Sequence, residues 1–127
     1  MSNTIINIIA NGGPVTAKIS SKISPQVYAG VIWRYKEDET FEQRCGQYQH
    51  DQQEVSLGTA AEAANKLFLV EGVLINQNDN PPVAYKMEVS IMQDGNVLKT
   101  EVPTDGGSGN ISDKDIAFVY HFNLKTQ

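Results

Sequence analysis

Residues 83–92, VAYKMEVSIM, change character at every step. Val83, Tyr85, Met87, Val89 and Ile91 fall on one side of an extended chain, and Ala84, Lys86, Glu88, Ser90 and Met92 on the other. Successive strand side chains point to opposite faces, so this period-two pattern marks a half-buried strand. A helix would spread the same large apolar groups around its circumference. The period recurs in QVYAGVIWRY (26–35), where Val27, Ala29, Val31, Trp33 and Tyr35 share a side that is expected to face inward. It recurs again in IAFVYHFNL (116–124), which gathers Phe118, Tyr120, Phe122 and Leu124 and turns His121 the other way, with Ala117, Val119 and Asn123.

Further strands are expected over 4–10, 14–20, 40–48, 66–76 and 97–102. About eight strands separated by turn residues predict an all-β fold, an antiparallel β-sandwich of jelly-roll or Greek-key type. A chain of 127 residues suits one such domain over 1–127 and buries enough surface to need neither disulfide nor metal.

The turns carry their own chemistry. Asp94-Gly95 in QDGN (93–96) tolerates the positive φ angles of a tight hairpin, which predicts pairing of 83–92 with 97–102. NGGP (11–14) breaks the chain between strands, and Pro81-Pro82 in NQNDNPP (76–82) cannot donate to a ladder. At most one short helix is expected, near 59–65. There Thr59 and Glu62 have capping-box spacing ahead of good helix formers. TIINIIA (4–10) has apolar residues on both faces, Ile5 and Ile9 against Ile6 and Ile8. That predicts either a central strand or one covered by a partner.

Charge and cysteine content narrow the function classes. The net charge is −5, and the ten basic residues are scattered singly from Lys18 to Lys125, so a nucleic-acid partner is not expected. Cys45 is the only cysteine, which rules out an internal disulfide. The first residues have no basic residue before their apolar run and no small-x-small cleavage site after a proper hydrophobic segment, so no signal peptide is expected. A cytoplasmic protein, or one exported by a leaderless route, is expected instead. The most apolar window, LFLVEGVLI (67–75), has about half the length of a membrane span, and no transmembrane segment is expected.

Three stretches offer ligand chemistry. In TDGGSGNISDKD (104–115), Asp105, Asn110, Asp113 and Asp115 carry the hard oxygens that calcium favours. Their spacing departs from the EF-hand frame, and a flexible, wet connector between strands is the favoured alternative. No other cofactor is expected. In NQNDNPP, Asn76, Asn78, Asp79 and Asn80 suit sugar hydroxyls as well as an ordinary turn. Trp33, with Arg34 and Tyr35, is suited to stacking on a sugar or holding a cationic headgroup, against the commoner role of an aromatic ring in a core.

Catalytic spacing is poorly supplied. His50 and His121 lie far apart, QRCGQY offers Cys45 no activating context, and GGSGN lacks the strand–turn–helix setting of a nucleophile elbow. Asn110-Ile111-Ser112 matches a glycosylation sequon, for which chance is the better account. The expected function is therefore non-catalytic recognition, lectin-like carbohydrate or receptor binding through loops 76–82 and 104–115. The alternative is a structural or assembly protein forming homo-oligomers through sheet edges. A small hydrolytic enzyme ranks last, so the chain is not expected to be an enzyme.

Overall fold

A computed structural model describes residues 4–76 and 81–126 and shows an all-β sandwich. Among the described residues are ten strands: β1 (Thr4–Ile8), β2 (Val15–Lys22), β3 (Tyr28–Tyr35), β4 (Phe41–Tyr48), β5 (Glu54–Gly58), β6 (Lys66–Leu74), β7 (Val83–Gln93), β8 (Asn96–Glu101), β9 (Ser108–Ile111) and β10 (Ile116–Thr126). A single helical turn, α1 (Ala60–Ala63), lies between β5 and β6, with both halves of the Thr59–Glu62 capping box formed. No described helix is long and apolar enough to cross a membrane.

The first sheet has the order β1-β10-β6-β3-β4, and the second β5-β2-β7-β8, with β9 also on β7. Every ladder is antiparallel except β1 on β10. Strand β2 takes one edge of β7, so β8 and β9 lie end to end along the other. The β7–β8 hairpin turns on Asp94 and Gly95, at φ of 54° and 75°, as two-residue hairpin geometry demands.

One core lies between the sheets. Phe68, Val70 and Leu74 of β6 and Phe118, Tyr120 and Phe122 of β10 meet Ile19, Met87, Val89 and Ile91 from the opposite sheet. Phe68 and Phe122 stack at 5.1 Å, while Tyr28 packs against Tyr48 and Phe118. Gln93, also buried, reaches from β7 to the chain leaving β1: its amide accepts from Ile9 N–H (2.8 Å) and donates to the carbonyls of Ile9 and Gly13 (2.9 and 3.1 Å).

Four sequence expectations need correction. Strand β3 is turned over: Tyr28, Ile32 and Arg34 are buried, and the side holding Ala29, Val31, Trp33 and Tyr35 faces outward. Pairing decides this. Gly30 lies opposite Gly72 of β6, and a Cβ on either glycine would collide with the Tyr48 hydroxyl, whose ring fills the space beneath them. Only an inward glycine pair leaves room for that ring.

Strand β1 is not central but terminal in its sheet; Ile6 and Ile8 are buried, while Ile5 stays 63% exposed. The polar segment at 49–58 and the stretch 104–115 each contain an additional strand, β5 and β9, so ten strands form instead of about eight. Segment 104–115 is therefore no loose connector. Gly107 is buried and its carbonyl accepts from Met87 N–H, Tyr85 donates to the Gly106 carbonyl, and Asp105 bridges to Val119. Backbone groups that turn inward must find partners, and β7 and β10 supply them.

Candidate functional site on the outer face of the first sheet

The register of the first sheet aligns outward side chains in rows across its strands. Val119, Glu71 and Val31 form one row; His121, Leu69 and Trp33 the next; Asn123, Leu67, Tyr35 and Phe41 another; Ala117, Val73 and Ala29 close the opposite end. Most of these groups are apolar, yet they point away from the core. The small side chains of Ala29 and Ala117, flanking Val31, Glu71, Val73 and Val119, leave a shallow depression of about 290 Å³. A second hollow of about 200 Å³ lies among Tyr35, Glu39, Leu67, Leu69 and His121.

Aromatic rings gather at the β4 side. Phe41, 57% exposed, meets Trp33 at 6.0 Å and Tyr35 at 5.8 Å, with interplanar angles of 65° and 76°. These edge-to-face arrangements are favoured by ring quadrupoles and hold the three rings in a notched cluster, not in a common plane. The indole Nε1–H of Trp33 donates to Glu71 Oε1 at 2.7 Å, fixing both side chains.

Of the sequence candidates, Trp33 and Tyr35 come together here. Arg34 does not. It points into the sandwich at 6% exposure, where Nε contacts Glu42 Oε2 (2.6 Å), Nη1 donates to the Leu57 carbonyl (3.1 Å) and Nη2 to Gln43 (3.2 Å). Lys66 Nζ takes the other Glu42 oxygen at 2.6 Å. The Lys66 and Arg34 cations hold the Glu42 carboxyl below its ordinary range.

The two candidate loops meet at one bond pair: Asp115 Oδ1 accepts from the backbone N–H and the side-chain amide of Asn76 (2.8 and 2.9 Å), which lowers the Asp115 pKa. Asn78, Asp79 and Asn80 lie outside the described residues. Asn110 sits within β9 opposite Ala84, and Asp113 accepts from Ser112. Among the described residues, no three His, Cys, Asp or Glu side chains converge as a metal-holding group. Cys45 is half-buried where the β3–β4 register slips, and burial pushes its thiol pKa up, which disfavours the thiolate.

Sequence reasoning missed Phe41, Leu67, Leu69, Glu71 and Val73 as surface groups. A signal was present in KLFLVEGVL (66–74), whose alternate positions are apolar on both faces. Such a strand calls for cover on two sides, and one sandwich core provides only one. No protein-family model matches this chain, and neither a curated protein nor a solved structure matches it.

Proposed function

We propose that this chain is a non-catalytic recognition module that docks a partner on the outer face of its β1-β10-β6-β3-β4 sheet. The carrying observation is continuity: apolar side chains from β3, β4, β6 and β10 adjoin in register where solvent would otherwise meet them. Strand spacing of about 4.8 Å across four strands and a rise of about 3.3 Å per residue give the face roughly 19 by 20 Å, about 380 Å² in projection. Corrugation by side chains raises the accessible area toward the roughly 800 Å² per partner of ordinary specific interfaces.

The notched rings favour insertion of shaped apolar side chains over the stacking of an extended sugar chain, which needs coplanar rings. The partner is accordingly a protein. In the described parts of the two loops, Asn76 and Asp115 are spent on each other and β9 on β7, so the weight of recognition moves from the loops to the face.

The test pairs two double variants. Val31→Lys/Leu69→Lys charges this face, and Thr16→Lys/Ser90→Lys charges the outer face of the opposite sheet. Affinity capture from extract, followed by reconstitution with the purified partner, should show at least tenfold weaker binding for the first variant and none for the second, with both folded. Equal binding by the Val31→Lys/Leu69→Lys variant sinks the proposal.

A second reading, self-association through β1, is favoured by one observation. This terminal strand, Thr-Ile-Ile-Asn-Ile, carries no charge, proline or bulge, the devices that ordinarily blunt an exposed edge. Sedimentation of the wild-type chain near 28 kDa at micromolar concentration, returning to 14.0 kDa for Ile5→Lys, would support it; a monomer at all concentrations would end it.

A further inference from the structure

Glu71 is the one acidic group in the middle of the docking face. Its strand neighbours are Val119 on one side and Val31 on the other, with Leu69 and Val73 before and after it along β6. One carboxylate oxygen is engaged by Trp33. Among the described residues, no Lys, Arg or His lies within ion-pairing distance of Glu71.

Covering this carboxylate with a purely apolar partner removes its water and returns nothing, a heavy penalty for a charge. A second copy stacked face to face, about a two-fold axis through the middle of the patch, brings two such carboxylates toward each other and incurs like-charge repulsion as well. A cation on an apolar stem resolves both problems, since its charge meets Glu71 while its methylene groups lie along the valines, and its approach beside the Trp33 ring adds cation–π attraction.

We infer that the docking face takes a protein segment that presents one Lys or Arg within an apolar stripe, and that Glu71, held by Trp33, selects for that cation. This rests on the docking face proposed above and adds the chemistry of its occupant.

Three tryptophan-free 16-residue amphipathic helical peptides serve as probes, identical except for Lys, Leu or Glu at the centre of the apolar stripe. Trp33 is the sole tryptophan, so its fluorescence reports binding directly. The wild-type chain should bind the Lys peptide at least tenfold tighter than the Leu or Glu peptide. Glu71→Gln, which keeps an acceptor for the indole, should bring the Lys and Leu peptides within about twofold of each other. Glu71→Lys should invert the order in favour of the Glu peptide.

A Lys preference that survives Glu71→Gln overturns the inference. Equal binding of the Lys and Leu peptides, abolished by Val31→Lys/Leu69→Lys, overturns the cation but leaves the docking face standing. Failure of all three peptides to bind up to millimolar concentration overturns both. Phosphatidylcholine vesicles that change Trp33 fluorescence in a Glu71-dependent way, and displace the Lys peptide, identify a lipid headgroup as the cation source and overturn the protein segment.

Discussion

The two sheets share one core but present opposite outward surfaces. On the second sheet, Lys18, Lys86, Glu88, Ser90 and Thr100 turn outward; Lys86 approaches Glu88 at 3.6 Å and Ser90 bonds Thr100 at 3.0 Å. Its apolar outward pair, Met92 and Val97, sits at the hairpin end. On the first sheet, valines, leucines and aromatics occupy most of the equivalent positions of β3 and β6, with Glu71 on β6 and His121 and Asn123 on β10 among them. Both sheets satisfy the same backbone and fill the same interior, so stability alone does not explain the difference. An antiparallel sheet with one wet face needs mostly polar outward residues, a pattern the second sheet follows more closely than the first. The first carries a largely apolar outward face, which is what the proposed docking surface rests on.

The largest expected effect lies inside. Phe68→Ala removes a fully buried ring from the inward side of β6 and should lower unfolding free energy by about 3–5 kcal/mol in urea titration. Leu69→Ala, one residue along on the outward side, should cost about 1 kcal/mol or less while weakening partner binding. Equal stability losses at the two positions would erase the distinction between core and docking face.

Next comes the buried network that holds β3 and β4 together. Glu42→Gln should destabilise by about 1–3 kcal/mol at neutral pH by leaving Arg34 short of its counter-charge. The Glu42 carboxyl is depressed in the folded state, so its stabilisation is present above the unfolded carboxyl range and lost as pH falls through the folded value. Wild-type and variant should thus converge in stability on acidification; a gap that stays constant to low pH would show that charge is not the cause. The smallest effect should be Ser90→Lys on the polar sheet, within about 0.5 kcal/mol in stability and without influence on partner binding. A binding loss there would remove the asymmetry between the sheets.

Locally determined features were legible in the sequence. The β7–β8 hairpin follows from Asp94-Gly95, the inward face of β10 from aromatics at every second position, and α1 from the Thr59–Glu62 box. What escaped is set by partners distant in sequence. Strand β3 is apolar on both sides, so alternation located the strand without telling inside from outside; Gly72 and Tyr48, far along the chain, made that choice. Strand β9, Ser-Gly-Asn-Ile, has little strand character of its own and exists because β7 offers it an edge. The outward apolar face was half legible. Trp33 and Tyr35 stood out as candidates, whereas Glu71 registered only as a charge interrupting an apolar window.

Strand β1 is the one parallel strand among the described residues and sits at the rim, the kind of segment that one molecule can lend to another without changing a single contact type. By clasping the backbone of Ile9 and Gly13, Gln93 fastens the tether behind β1 to the opposite sheet. That clasp should therefore slow any strand exchange between copies. Replacing it with the apolar Gln93→Leu strips the tether of its anchor and turns the rim into a donor arm, so interlocked dimers should accumulate on refolding at high concentration.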